Sequence, residues 1–113
     1  MVTLQDVREL ALSLPSTIEK PSYGTPGFRV RDKLFARIHD NGSWLVLMTD
    51  RSQRSFLHEA EPDKYFWTDH YENYDAMLIR LDAIDREELQ DLLTMAWVYR
   101  APLKLVDAFR ARM

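Results

Sequence analysis

The chain contains no cysteine, which excludes disulfides, thiolate nucleophiles and every zinc site that needs sulfur. Glycine is scarce, with three among 113 residues, and none sits in a Gly-x-Gly-x-x-Gly fingerprint, a phosphate loop or a Gly-x-Ser-x-Gly elbow. Nucleotide loops of those kinds and hydrolase chemistry therefore lack support. No apolar run approaches the roughly 18 residues of a membrane helix, and Met1 to Asp6 is not a basic leader followed by an apolar segment. The expectation is a cytoplasmic address without membrane attachment. Excess charge of one sign is also missing: the formal net charge is −3, too little for a global field toward nucleic acid or an acidic membrane. The three histidines, His39, His58 and His70, match no metal-ligand spacing. His58 with Glu59 and Glu61 comes nearest, beside Pro62, and reads more simply as a solvated helix end. The acid pairs Glu87 with Glu88 and Asp82 with Asp85 fall at a helix start, where carboxylates complement the dipole. Neither a metal, a cofactor nor a catalytic constellation is expected.

What is present is a globular balance, 46% hydrophobic and 29% charged residues, in a length that suits one domain spanning residues 1–113. Thr3 and Asp6 open a first helix whose Leu4, Val7, Leu10, Ala11 and Leu14 recur at helical spacing. Pro15 stops it. The stretch from Pro15 to Gly27, with Pro21, Gly24 and Pro26, reads as a rigid, irregular loop. From Phe28 the period becomes two. Phe28 to Arg31 and Leu34 to His39 form a hairpin about a turn at Asp32-Lys33, which would place Val30 opposite Phe35 and Arg29 opposite Ala36. The Asp40-Asn41-Gly42 turn leads into Trp44 to Met48, an apolar strand to be covered on both faces.

Asp50 and Gln53 resemble a capping box for a short helix that uses Phe56 and Leu57 as its apolar contact and ends at Glu61-Pro62. A short strand is expected within the aromatic stretch Lys64 to Tyr74. Asp75 to Leu81 alternates as another strand, with Met77, Ile79 and Leu81 on one face. Asp85 and Glu88 cap a long helix with Leu89, Leu92, Leu93, Ala96 and Trp97 inward. A last helix begins near Pro102 and buries Leu103, Val106 and Phe109. The order α-βββ-α-ββ-α-α defines an α+β, two-layer fold, with an antiparallel sheet of about five strands and its helices on one side.

Two surfaces are candidates for function. Residues 19–37 hold five basic side chains against two acidic ones, whereas residues 59–75 hold six acidic side chains against one basic. The basic ribbon Arg29, Arg31 and Lys33, extended by Arg37, Arg51 and Arg54, could contact DNA phosphates; the alternative is an ordinary charged strand face that blunts sheet association. The aromatic residues Tyr65, Trp67, Tyr71 and Tyr74 either pack the core and its edge or form a surface for a protein or small ligand.

The string from Pro21 through Ser22-Tyr23-Gly24-Thr25-Pro26-Gly27-Phe28-Arg29 to Val30, then Lys33 to Ala36, resembles the signature of the MmcQ/YjbR-like family. Glu88 to Trp97, followed by Ala101-Pro102 and Leu105, is similar to that family's closing helix. The resemblance spans nearly the whole chain. It implies a compact α+β domain with an antiparallel sheet, of secretion-chaperone-like or double-wing type, and DNA as the nominal partner with no shared catalytic residues. The family's Asn-Lys-x-His-Trp-Asn stretch reads Tyr71-Glu72-Asn73-Tyr74 here, and a glycine of its first hairpin is Asp32.

Overall fold

The computed structural model describes residues 1–112. Its element order is α1 (Leu4–Leu12), β1 (Thr17–Ser22), β2 (Thr25–Val30), β3 (Lys33–Ile38), β4 (Trp44–Met48), α2 (Arg51–Ala60), β5 (Tyr65–Phe66), β6 (Ala76–Arg80), α3 (Arg86–Arg100) and α4 (Leu103–Ala111). The six strands form one antiparallel sheet in the order β1-β2-β3-β4-β6-β5.

The helix starts follow from short polar side chains satisfying amides that have no intrahelical partner. Thr3 with Asp6 and Asp85 with Glu88 make reciprocal capping boxes, and Asp50 accepts from the Gln53 amide. Alternation along the strands then builds two faces. Leu45 and Leu47 of β4 and Met77 and Ile79 of β6 join the main core, where Leu89, Leu93, Ala96 and Trp97 of α3 meet Val7, Leu10 and Ala11 of α1. Trp97 is fully buried, packs against Phe109 and donates from Nε1 to the Pro15 carbonyl at 3.0 Å. Val46, Ala76 and Leu78 point to the second face, with Tyr71 against them and Trp44, Met48, Phe66 and Trp67 around them. The strand β4 is thus covered on both sides, as its unbroken apolar run requires. At the β5–β6 end, Leu57 of α2 packs against the main core.

The structure differs from the sequence expectation at four places. The segment read as a loop contains β1, so the sheet has six strands. Pro21 and Pro26 lie opposite each other in the β1–β2 register, and β1 is an edge strand, where a missing N–H is tolerated. Gly27 is required at this crossing: a Cβ there would lie 2.8 Å from Ser22 Cβ and 3.0 Å from the Lys20 carbonyl oxygen. Second, the β2–β3 turn is Arg31-Asp32, both with positive φ, and Val30 pairs with Lys33 and Arg29 with Leu34. A bulge then places Phe28 opposite Ala36, and Phe35 and Ala36 both reach the core. Asp32 (φ +67°) occupies a left-handed position that glycine would take without strain. Third, Phe56 is exposed, and Arg54 is the buried residue of α2. Fourth, Leu103 is 80% exposed, and Pro102 is the cap rather than the first helical residue.

Candidate functional site

The second face of the sheet carries a cavity of about 370 Å³. Its floor is Leu34 of β3 with Val46 and Met48 of β4, and one wall is His70, Tyr71 and Tyr74 from the segment before β6. Tyr23, at the tip of the β1–β2 hairpin, stands on the other side, and Arg37 and Asp40 supply charge. The volume lies within the roughly 300–1,000 Å³ typical of small-molecule sites, which combine apolar walls with few polar groups.

Each wall is held by identifiable interactions. Arg37 is 8% exposed. Its Nη2 donates to Tyr71 Oη at 2.8 Å, while Nη1 meets Thr25 Oγ1 at 3.2 Å, the Ile38 carbonyl at 3.1 Å and Asp40 Oδ1 at 3.3 Å. His70 packs edge-on against Tyr71 and lies beside Tyr74. Arg54 anchors the wall from behind. Its Nη1 donates to the carbonyls of Tyr71, Tyr74 and Ala76, Nη2 donates to that of Glu72, and the guanidinium lies 4.0 Å from the centroid of the Trp67 ring. Burial pushes the Arg54 pKa down, while the nearby Glu72 carboxylate favours its charge.

Tyr23 has φ +53° and is followed by Gly24 at +80°, so the hairpin turns with both central residues left-handed. A bulky side chain at the first position is strained, and this one is 83% exposed, with the Arg37 guanidinium 5.2 Å from its ring centroid. Burial in a core gives no reason for an aromatic there.

The six basic residues singled out from the sequence do not form one surface. Arg31 and Lys33 are exposed at the β2–β3 tip, and Arg29 is half-buried with Nη1 on the Asp32 carbonyl. Arg37 and Arg54 are interior, and Arg51 pairs with Asp75 at 3.2 Å and also reaches the Asn73 carbonyl. The aromatic set divides as well. Tyr65 packs in the main core, its hydroxyl pKa raised chiefly by burial. Trp67 stacks on Arg54 and His58. Tyr71 and Tyr74 line the cavity together with Arg37, so one member of the basic set joins two of the aromatic set.

Tyr23, Leu34, Asp40, Val46, Met48 and His70 were not singled out from the sequence. Tyr23 carried a usable signal, an aromatic inside a Pro- and Gly-bracketed turn. The others are brought together only by strand pairing, by the β3–β4 turn and by the path of the segment before β6. Among the described residues no three metal-ligating side chains converge, and no helix is long and apolar enough to cross a membrane.

Comparison with known proteins gives a consistent relationship. An uncharacterised protein of Mycobacterium tuberculosis (strain H37Rv) is 38% identical over 129 aligned positions that cover 98% of each chain, and an uncharacterised protein of Mycobacterium bovis matches equally. A crystal structure from Deinococcus radiodurans, described as a DUF419 domain, superposes with a TM-score of 0.73 over 88% of this chain and 78% of that one, at 23% identity. That likeness establishes a shared fold. The sequence model of the YjbR family matches residues 12–98, and the chain belongs to that family.

Proposed function

We propose that the protein is a small-ligand-binding domain whose site is the cavity between the Tyr23 hairpin tip and the Tyr71–Tyr74 wall. The observation that carries this reading is Tyr23, a strained and exposed aromatic held at the mouth of an aromatic-lined cavity. Backbone strain persists where the surroundings impose it and clusters at ligand clamps. With Tyr23, Tyr71 and Tyr74 as walls and Val46 and Met48 as floor, the cavity suits a planar, largely apolar compound. A fragment of about 13 non-hydrogen atoms contributing about 0.3 kcal/mol each would bind with a Kd near 1 mM. NMR titration with planar aromatic fragments tests this. Saturable shifts at Tyr23, Leu34, Met48 and Tyr74, weakened about tenfold in Tyr74→Ala, are expected; shifts unaffected by that substitution would contradict the reading.

Duplex DNA is the second reading, and it rests on the β2–β3 tip, where Arg31 and Lys33 are exposed and Arg29 is tied to the turn. Three phosphate contacts give a log–log salt slope of about −2.7, against about −5.4 for six. The six-contact value would require Arg37 and Arg54 to leave their buried hydrogen bonds. The β1–β2 tip with Tyr23 and the β2–β3 tip lie at opposite ends of the six-residue β2, about 20 Å apart, and the cavity comes nearest the second tip at Leu34.

A further inference from the structure

We infer that the ligand is a planar aromatic monoanion whose carboxylate takes the place of Asp40 on Arg37. This inference rests on the ligand reading of the cavity and specifies the chemistry the cavity selects. Arg37 is a charged group in the interior of the second face, and the Thr25 hydroxyl, the Ile38 carbonyl and the Tyr71 hydroxyl that surround it are neutral. Neutral acceptors take hydrogen bonds from its two Nη atoms without cancelling its charge, and a buried cation needs a counter-charge. Among the described residues the single carboxylate within ion-pair distance is Asp40, through one 3.3 Å contact.

That contact is a weak form of the pairing a guanidinium can make. The Asp40 side chain is 72% exposed, and it sits in the β3–β4 turn, so water competes for it. It can swing into solvent without breaking a strand. A ligand carboxylate in the cavity would be drier than Asp40 and free to orient along the guanidinium plane, and charge-assisted pairing there is shorter and stronger; a second point of contact on Nη2 would be shared with the Tyr71 hydroxyl. Its ring would then lie among Tyr23, Tyr71 and Tyr74. Charge bookkeeping favours a single negative charge: a monoanion that displaces Asp40 leaves Arg37 balanced, whereas a dianion leaves an excess negative charge within an apolar wall. The cation–π contact between Arg37 and Tyr23 links anchor and mouth, so that the anion and the ring are read by adjoining groups.

The test compares 2-naphthoate, 2-naphthamide and 2-naphthyl phosphate on the whole protein by NMR titration, with Asp40→Asn, Arg37→Met and the remote Asp107→Asn as variants. The carboxylate should bind at least tenfold more tightly than the isosteric amide and more tightly than the phosphate. Asp40→Asn should strengthen naphthoate binding three- to tenfold, leave the amide unchanged, and differ from Asp107→Asn, which changes neither. Arg37→Met should abolish the preference for carboxylate over amide; because Arg37 is also part of the fold, Asp40→Asn carries the decision if that variant does not fold. Equal binding of carboxylate and amide at the cavity would overturn the anion inference and leave the ligand reading standing. Tighter binding of the phosphate, or no gain in Asp40→Asn, would likewise overturn it. Absence of binding by all three would overturn both.

Discussion

The two faces of the sheet solve the same problem with different materials. The face under α1 and α3 is closed by aliphatic side chains and Trp97, whose indole N–H donates to the Pro15 carbonyl. The other is closed by two interior arginines, Arg37 of β3 on the Tyr71 hydroxyl and Arg54 of α2 on the backbone carbonyls of the segment before β6, and it leaves a cavity. Apolar packing is non-directional and gains by filling space, whereas a guanidinium with several carbonyl partners fixes positions and can tolerate an open neighbour. The first face therefore carries stability, and the second holds a shape.

The largest effect should come from the packed face. Trp97→Ala removes a fully buried ring and an indole hydrogen bond, and should cost about 3–5 kcal/mol in urea unfolding. A loss below about 1 kcal/mol would mean that the packed face does not dominate stability. On the other face, Arg54→Met should cost about 3 kcal/mol by leaving four carbonyls without their donor. Its distinguishing mark is local: amide exchange should accelerate from Tyr71 to Ala76 far more than in α3. Uniform acceleration would erase the distinction between the faces.

A smaller effect has the opposite sign. Tyr23→Asn places a residue that accepts positive φ at a strained position and should stabilise the protein by about 1 kcal/mol, while weakening binding of any ligand in the cavity. Gain of stability with unchanged binding would remove Tyr23 from the site. The smallest effect belongs outside both faces. Arg8 binds the Glu19 carboxylate at 2.6 and 2.9 Å, tying α1 to β1, and this hydrogen bonding holds the Glu19 carboxyl below its ordinary range. Because the folded value is the lower one, this contribution is complete above the unfolded value of about 4.3 and fades as pH falls through the folded value. Glu19→Gln should flatten that part of the stability profile as pH falls below about 4.3, and an unchanged profile would show the pair to be inert.

The packed face was legible in the chain because its information is periodic. Leu89, Leu93 and Trp97 announce a helix face, and Met77 and Ile79 a strand face, without reference to anything distant. The second face was less legible because its determinants are arginines and turns. Arg37 and Arg54 read as surface charge by residue type; only the register of β3 beside β4 and the path of the 67–75 segment turn them inward. Pro21 and Pro26 concealed β1 because a proline count does not reveal that the strand is at an edge. The Arg31-Asp32 turn reads one residue late in the sequence, at Asp32-Lys33, since arginine is rare at positive φ, and the bulge between Phe28 and Arg29 recovers only half of the resulting register difference. The cavity joins Tyr23 and Met48 to Tyr74 across three separate chain segments. Local pattern cannot assemble such a set.

The most direct test of the ligand site is amide shift mapping during titration with 2-naphthoate, carried to about 10 mM so that millimolar affinity is captured. Saturable shifts centred on Tyr23, Asp40, Met48, Tyr71 and Tyr74, with the α3 amides and the Arg31-Asp32 turn unmoved, are the predicted result. No saturable shift, or shifts centred on the Arg31–Lys33 tip, would contradict the account.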